Sequence, residues 1–368
     1  MRIHSRYKGR FMKYEISDIK RVLSRLVTYF RVQEDTSSQQ EMNELWRRID
    51  RSIDARRSKR RMMVWGSVSA AALLAGCIWL GVGHYWEQQP DLSVVAARMM
   101  EKTVETDEIQ LIVAPEQTLR VKDGGTVTYQ QDGGIQVDEA EVEKTEVPDD
   151  PYDQIIVPKG RFGRLILADG SELYINSGTK VVYPKRFEKN RREIFVDGEI
   201  YIDVRRDETA PFVVKTARFD VEVLGTAFDV KAYSNEAESG EIVLLRGMVN
   251  VKSGSGAEAK LTPDNKAVVP AEGAIHTEAV DAADYILWTK GILPLNNGTI
   301  GDIVDDLSRY YDVQIVCGED IRDIRIAGKI DLQRGVEEAL RNLSLTGGFI
   351  CTKQADAYVL HLQHDDEP

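Results

Sequence analysis

Residues 62–86 read MMVWGSVSAAALLAGCIWLGVGHYW, without a single Asp, Glu, Lys or Arg, and are closed by Arg61 and Glu87. In a helix that rises 1.5 Å per residue, about 20 apolar residues cross the hydrocarbon core of a bilayer, and this run exceeds that length. Trp65, Trp79, Tyr85 and Trp86 lie towards its ends, where amphipathic rings favour the headgroup layer. Small residues such as Gly66, Ser69, Ala70 and Gly76 are tolerated in lipid-embedded helices. A buried helix of a water-soluble body is rarely so long and so free of charge. The run therefore predicts one membrane-spanning helix, and it obliges the rest of the chain to fold as two separate parts.

Charge orients the two parts. Eight basic residues, from Arg47 to Arg61, precede the span against Asp50 and Asp54, whereas the far side opens with Glu87 and Asp91. The positive-inside rule then places residues 1–61 in the cytoplasm and 87–368 outside it. Residues 1–61 hold 17 Lys+Arg and 8 Asp+Glu, net +9; the remainder holds 31 and 52, net −21, and the two sum to the −12 of the whole chain. Such asymmetry suits two compartments better than one globular body. The box Leu74-Ala75-Gly76-Cys77 has the form of a lipoprotein cleavage site, but a signal peptide does not follow sixty residues of helical periodicity, nor does its apolar run continue past the cysteine.

The cytoplasmic segment carries two amphipathic stripes. Ile16, Ile19, Leu23, Leu26 and Phe30 recur at steps of three and four, and after a polar break Ser38-Gln39-Gln40-Glu41 has the form of a capping box. Met42, Leu45, Trp46, Ile49 and Ile53 then share one face of a second helix. About fifty residues bury little core alone, so these stripes call for a cytoplasmic partner that covers them in a groove. A self-contained mini-bundle is the alternative. The basic run 47–61 sits against the span, so topology and anionic lipid explain it better than nucleic acid does.

Chemistry of catalysis is thinly represented. The three cysteines are Cys77 in the apolar run, Cys317 and Cys351, and the last two read either as a pair or, more simply, as half-buried strand thiols. No His/Cys spacing suits zinc, and there is no phosphate-cradling glycine loop, HExxH or GxSxG. The expectation is no metal, no cofactor and no enzyme.

Residues 90–106 read as a short helix leaving the membrane, after which the period changes to two. Strands are predicted at 109–113, 118–121 and 126–129, an acidic connection at 131–153, and then a dense series from Tyr152 onward. Ala168-Asp169-Gly170-Ser171 marks a hairpin between strands at 162–167 and 172–175. Asp197-Gly198 marks another between 194–196 and 199–204. Segments 117–129 and 163–175 look loosely alike, which suggests a rolled or solenoid-like all-β domain.

The series Val157-Pro158-Lys159-Gly160, Leu165 to Ser171, Asn176-Ser177-Gly178-Thr179, Tyr183-Pro184, Asp197 to Val204, Pro211 to Val214 and Val223 to Val230 resembles the FecR-like transmembrane regulators in order and spacing. Leu261-Thr262-Pro263-Asp264-Asn265 departs from the family's usual Pro-Gly turn, but Asp-Asn can close a tight turn through side-chain bonds. Beyond Asp284 and Trp288, a strand at 292–295, a helix at 300–311, strands at 313–316 and 324–330, a helix capped at Asp331 and strands at 349–352 and 358–362 make a small α/β module. It resembles the STN-like domain often found at the end of such regulators. The organisation is thus 1–61 cytoplasmic helices, 62–86 span, 87–283 β-rich domain with its most specific part at 152–252, and 284–368 C-terminal module.

The resemblance implies an inner-membrane anti-sigma factor. Its cytoplasmic helices would bind an extracytoplasmic-function sigma factor. Its periplasmic part would contact the signalling domain of a TonB-dependent outer-membrane receptor for iron chelates or glycans. A regulatory membrane protease would free the cytoplasmic segment. It also implies a candidate self-cleavage bond at Gly225-Thr226, where the Thr hydroxyl would attack the preceding carbonyl; the simpler reading is a strand break at Gly225. The competing reading is an anchored periplasmic binding protein with no sigma partner, with Tyr174, Tyr183 and Tyr201 as candidates to line a site.

Overall fold

The computed structural model describes residues 21, 23–25, 91–102, 106–114, 117–130, 134–138, 140–141, 151–234 and 239–362. The chain divides into two compact units, Met1–Gln89 and Pro90–Pro368. In the first, Arg21, Leu23, Ser24 and Arg25 are helical, as the stripe through Leu23 requires. Among the described residues no helix is long and apolar enough to cross a membrane; the expected span at 62–86 lies outside them.

The second unit opens with helix α1 (Leu92–Glu101), shorter than the predicted 90–106. Asp91 caps it by accepting from the Ser93 N–H. Leu92 and Ala96, one turn apart, are its buried residues, and they pack on Val182 and Phe195.

Two large sheets follow. The first is built from β1 (Ile109–Ala114), β2 (Gln117–Val121), β6 (Tyr152–Val157), β9 (Thr179–Pro184), β11 (Phe212–Lys215), β12 (Phe219–Val223), β15 (Val249–Ser253) and β16 (Glu258–Leu261). The second is built from β3 (Thr126–Tyr129), β4 (Ile135–Val137), β5 (Ala140–Glu141), β7 (Gly163–Ile166), β8 (Glu172–Ile175), β13 (Ala227–Ala232), β14 (Ser239–Arg246), β17 (Asn265–Pro270) and β18 (His276–Ala279). They share one long strand, β10 (Arg192–Asp203). Their facing side chains make a single core that includes Leu165, Leu173, Val181, Tyr183, Val196, Phe212 and Phe228. Each such side chain contributes about 1.5–3 kcal/mol of hydrophobic stabilisation before conformational entropy is charged against it. The all-β expectation holds.

The hairpin predicted at Asp197-Gly198 is not one. β10 runs straight through: Phe195 to Asp197 pair with β9 in the first sheet, and Gly198 to Asp203 pair with β13 in the second. Gly198 is the corner, at φ +136, and a Cβ there would lie 2.3 Å from Thr179 Oγ1. The Asp-Gly signal is local, whereas the choice between reversing and crossing to another sheet rests on the partners of both halves. The likeness of 117–129 to 163–175 also dissolves. β7 and β8 form an antiparallel hairpin, but β2 pairs with β1 while β3 joins the other sheet, parallel to β7. Part of the acidic connection is ordered as β4 and β5.

Arg192 explains the Asp169-Gly170-Ser171 turn. Its buried guanidinium donates to Asp169 Oδ2 at 2.7 Å and to the carbonyls of Arg205 and Ala210, while lying over the Phe212 ring. One cation thereby ties three loops to the end of β10. The Asp264-Asn265 turn closes as expected, with Asn265 Nδ2 donating to the carbonyls of Thr262 and Pro263.

After the connector α2 (Ala282–Tyr285) and a 3-10 turn Leu287–Lys290, the C-terminal module has its own core around Ile300, Leu307, Ile321, Leu340 and Leu360. Helix α3 (Ile300–Tyr311) carries a complete capping box, Thr299 with Asp302. Asp331 caps a 3-10 turn, Leu332–Arg334, and the helix proper, α4 (Val336–Gly347), begins after Gly335. The predicted strand 324–330 is two short ones, β22 (Arg325–Ile326) and β23 (Lys329–Asp331), which pair with β20 (Gly298–Thr299) and β19 (Ile292–Pro294) in different sheets. Strands β21 (Gln314–Cys317), β24 (Phe349–Gln354) and β25 (Ala357–Leu362) form a sheet in the order β21-β25-β24. Cys317 and Cys351 both register with Leu360 from opposite sides of β25. Two strand spacings put their Cα atoms about 9.6 Å apart, beyond the roughly 7 Å a disulfide spans, and both thiols are free.

Candidate functional site

The most chemically distinctive place in the second unit is where the C-terminal module docks on the outer face of the second sheet. Strand alternation drives Ile200, Ile202, Phe228 and Val230 into the core, so Glu199 on β10 and Asp229 and Lys231 on β13 project the other way. α3 supplies Asp306 and Arg309, one helical turn apart. Lys231 Nζ meets Asp306 Oδ1 at 2.6 Å, and Arg309 pairs with the same carboxylate. The Arg309 guanidinium also lies 4.0 Å from the centre of the Tyr233 ring, whose hydroxyl donates to the Ser177 carbonyl at 2.9 Å.

Glu199 is buried and accepts from Asn176 Nδ2 at 2.6 Å. Asp229 is buried and accepts from Trp288 Nε1 at 3.1 Å. Burial, and then the nearby Glu199 charge, hold the Asp229 carboxyl well above the usual carboxylate range. Burial likewise raises Glu199, against the pull of Lys231. Burial alone would lower the Lys231 amine, but Asp306 and Glu199 more than offset it and hold it above its ordinary value.

Backbone contacts complete the junction. The Gly160 N–H donates to the Arg309 carbonyl at 3.0 Å, and the Phe162 and Tyr310 rings pack at a tilt of 47° with centroids 4.9 Å apart. Gly178 sits against the stem of Arg309: an added Cβ would come within 3.2 Å of its Cδ, at a φ of +72° that already disfavours any side chain. Lys159-Gly160, Asn176 to Thr179, the Glu199 region and Phe228-Asp229 are four of the segments that carry the sequence resemblance. Each supplies part of the docking surface. A cleft of about 320 Å³ remains beside it, lined by Phe162, Tyr174, Trp288 and Tyr310.

The residues singled out from sequence are distributed differently. Leu23 is helical and 38% exposed; Ile16, Ile19, Leu26, Phe30, Met42, Leu45, Trp46 and Ile49 lie outside the described residues. Tyr174 and Tyr201 are cross-strand neighbours, but Tyr183 is buried in the core beside Tyr129 and Asp153, so the three line no common site. At Gly225-Thr226 the Thr226 hydroxyl donates to the Met248 carbonyl at 3.0 Å and the side chain is buried, while Gly225 lies against Arg206. Among the described residues no group of His, Cys, Asp and Glu is arranged to hold a metal ion. Lys231, Asp306 and Arg309 escaped the sequence reading because partners 75 positions apart leave no local pattern.

The FecR protein family matches residues 153–250, and the FecR, C-terminal family matches residues 292–360. No curated protein matches the chain. Two solved structures of a candidate anti-sigma factor from Parabacteroides distasonis ATCC 8503, at 2.50 and 1.65 Å, are similar to it. They are 30% and 31% identical, with 58% and 57% of this chain and 99% of each of those chains covered, and a TM-score of 0.54 in both cases. The two family matches fall on the two sides of the docking interface, one supplying Glu199, Asp229 and Lys231 and the other Asp306 and Arg309, and the chain belongs to the FecR family.

Proposed function

We propose that this chain is a single-pass inner-membrane signal transducer that regulates an extracytoplasmic-function sigma factor. The observation that carries the reading is the pair of FecR matches, joined to 30–31% identity with a candidate anti-sigma factor across nearly all of that protein's solved chain. The apolar stripes of residues 1–61, with Trp46 among them, hold the sigma factor in the cytoplasm. The β-body and docked module receive the signal of a TonB-dependent receptor loaded with an iron chelate or a glycan. A docked module suits this role: a load applied to it is transmitted to the β-body through the half-buried Lys231–Asp306 ion pair and the Asp229–Trp288 hydrogen bond rather than through a slack linker. A membrane protease then releases the cytoplasmic segment, since a lone helix conveys small rotations poorly.

On this reading the chain is no enzyme, and Gly225-Thr226 is a turn between strands. A full chain that separates into two fragments on standing, with Thr226→Ala intact, would replace that assignment by self-cleavage. The main test is co-purification of the full chain with each extracytoplasmic-function sigma factor of its host. A stoichiometric complex weakened at least tenfold by Trp46→Ala is the expected result. Absence of any complex would favour an anchored periplasmic binding protein.

A further inference from the structure

The outward face of the second sheet carries an aromatic platform that runs into the cleft beside the docked module. Register sets Arg164 on β7, Tyr174 on β8, Tyr201 on β10 and Asp229 on β13 side by side across the sheet. Leu165, Leu173, Ile200 and Phe228 fill the core, so this row points the other way. The Tyr174 and Tyr201 rings are half-buried, with centroids 5.9 Å apart and a tilt of 37°. Two ion pairs open to water border them, Arg164 with Glu172 and Arg246 with Asp203.

Tyr174 also forms one wall of the cleft. At about 320 Å³ the cleft is near the lower end of the roughly 300–1,000 Å³ of small-molecule sites. Phe162 and Tyr174 come from the β-body, Trp288 from the connector, Tyr310 from α3 and Gln333 from the turn before α4. Polar groups lie among the rings. No described residue bonds to the Tyr174 or Tyr310 hydroxyl. Gln333 Nε2 donates to the Lys290 carbonyl at 3.0 Å, which leaves the Gln333 side-chain oxygen to accept from a ligand. Gly291 makes room for that amide, since an added Cβ would come within 2.9 Å of Gln333 Nε2. The Thr289 hydroxyl donates to the Ile286 carbonyl and keeps its capacity to accept.

This lining selects a neutral, hydroxyl-rich ligand with a flat apolar face. No carboxylate lines the cleft, whereas Lys290 does, and the Arg164 guanidinium already lies 5.1 Å from the centre of the Tyr174 ring. An ammonium ligand would therefore meet cations. A polyanion would meet Glu172 and Asp203 beside the platform. A hydrocarbon would bury the two tyrosine hydroxyls without partners. A pyranose meets each demand: its C–H face stacks on an aromatic ring, and its hydroxyls bond to planar guanidinium, carboxylate and amide groups at the edge.

We infer that the cleft and the Tyr174–Tyr201 platform bind a neutral oligosaccharide, held between the β-body and the C-terminal module. The assignment does not rest on the function proposed above. The test uses the full chain in micelles of a polyoxyethylene detergent, which has no sugar headgroup to compete. Cellotetraose, mannotetraose and maltotetraose are titrated singly by calorimetry, with choline as the cationic probe. At least one tetraose should bind, and Tyr174→Ala and Gln333→Ala should each weaken it by about tenfold. Leu345→Ala, at a 77%-exposed side chain outside the cleft, should leave it unchanged. Hydrogen exchange in α3 without sugar should match the native chain in Gln333→Ala, which separates a lost contact from a lost fold. Because the ligand touches both sides of the junction, a tetraose at about a hundred times its Kd should slow opening of α3 by about a hundredfold. Failure of all three tetraoses to bind at millimolar concentration would overturn the inference and leave the proposed function standing. Binding that both cleft variants leave intact, or that does not slow α3, would overturn it as well. Binding of choline in their place, weakened by Tyr174→Ala, would replace the sugar with a quaternary ammonium ligand.

Discussion

Replacing Lys231 with Met should loosen the C-terminal module without unfolding the β-body. At 2.6 Å, the attraction between Lys231 and Asp306 is about 6 kcal/mol for an effective dielectric of about 20 and about 1.6 kcal/mol in water. The two side chains are 28% and 23% exposed, so the pair sits between those limits, and desolvation of both groups offsets much of the gain. A net coupling of about 1–3 kcal/mol remains. Lys231→Met alone should cost more, about 3–5 kcal/mol, because it removes the cation that faces both Asp306 and the buried Glu199. Native-state hydrogen exchange of the α3 amides in the full chain reads the opening free energy directly. The cycle is closed by Asp306→Leu and the double variant. A coupling under about 0.5 kcal/mol would refute the claim that this ion pair fastens the module.

Further outcomes follow from the same geometry. Asp229→Asn keeps an acceptor for Trp288 but cannot ionise. A carboxyl whose folded pKa is raised binds its proton more tightly in the folded state, so the native chain loses stability as pH rises from about 4 towards that raised value. Denaturation at a series of pH values should therefore show the Asn variant gaining on the native chain as pH rises; a constant difference would count against burial as the cause. Gly198→Ala should destabilise the β-body by about 3 kcal/mol or more, read as a lower urea midpoint, since the new methyl meets Thr179 at the corner of β10. Under mild oxidation Cys317 and Cys351 should remain two titratable thiols; an intramolecular crosslink detected by mass would mean that β25 does not separate them.

Local chemistry made much of this molecule legible in advance. Period-two alternation located the strands from 109 onward, and the Thr299-Asp302 capping box opens the helix predicted at 300. These succeed because each rests on residues a few positions apart. The Asp197-Gly198 signal failed for a related reason. A glycine that permits a tight reversal also permits a strand to cross between sheets, and only β9 on one side and β13 on the other decide between them.

The docking site shows the same division. Its glycines and polar turn residues were visible as the segments that resemble FecR-like regulators, at 159–160, 176–179 and 197–204, but sequence gave them no task. Strand content, family and the apolar stripes of residues 1–61 were legible in the sequence alone, since they depend on short-range period and motif order. Tertiary structure alone decided that Glu199, Asp229 and Lys231 turn outward together and that α3 brings Asp306 and Arg309 to meet them. It alone decided, too, that β25 keeps the two thiols apart. Those arrangements depend on burial and charge pairing between segments far apart in the chain, where the energy of a contact exists only once both partners have been positioned by their own strands and helices.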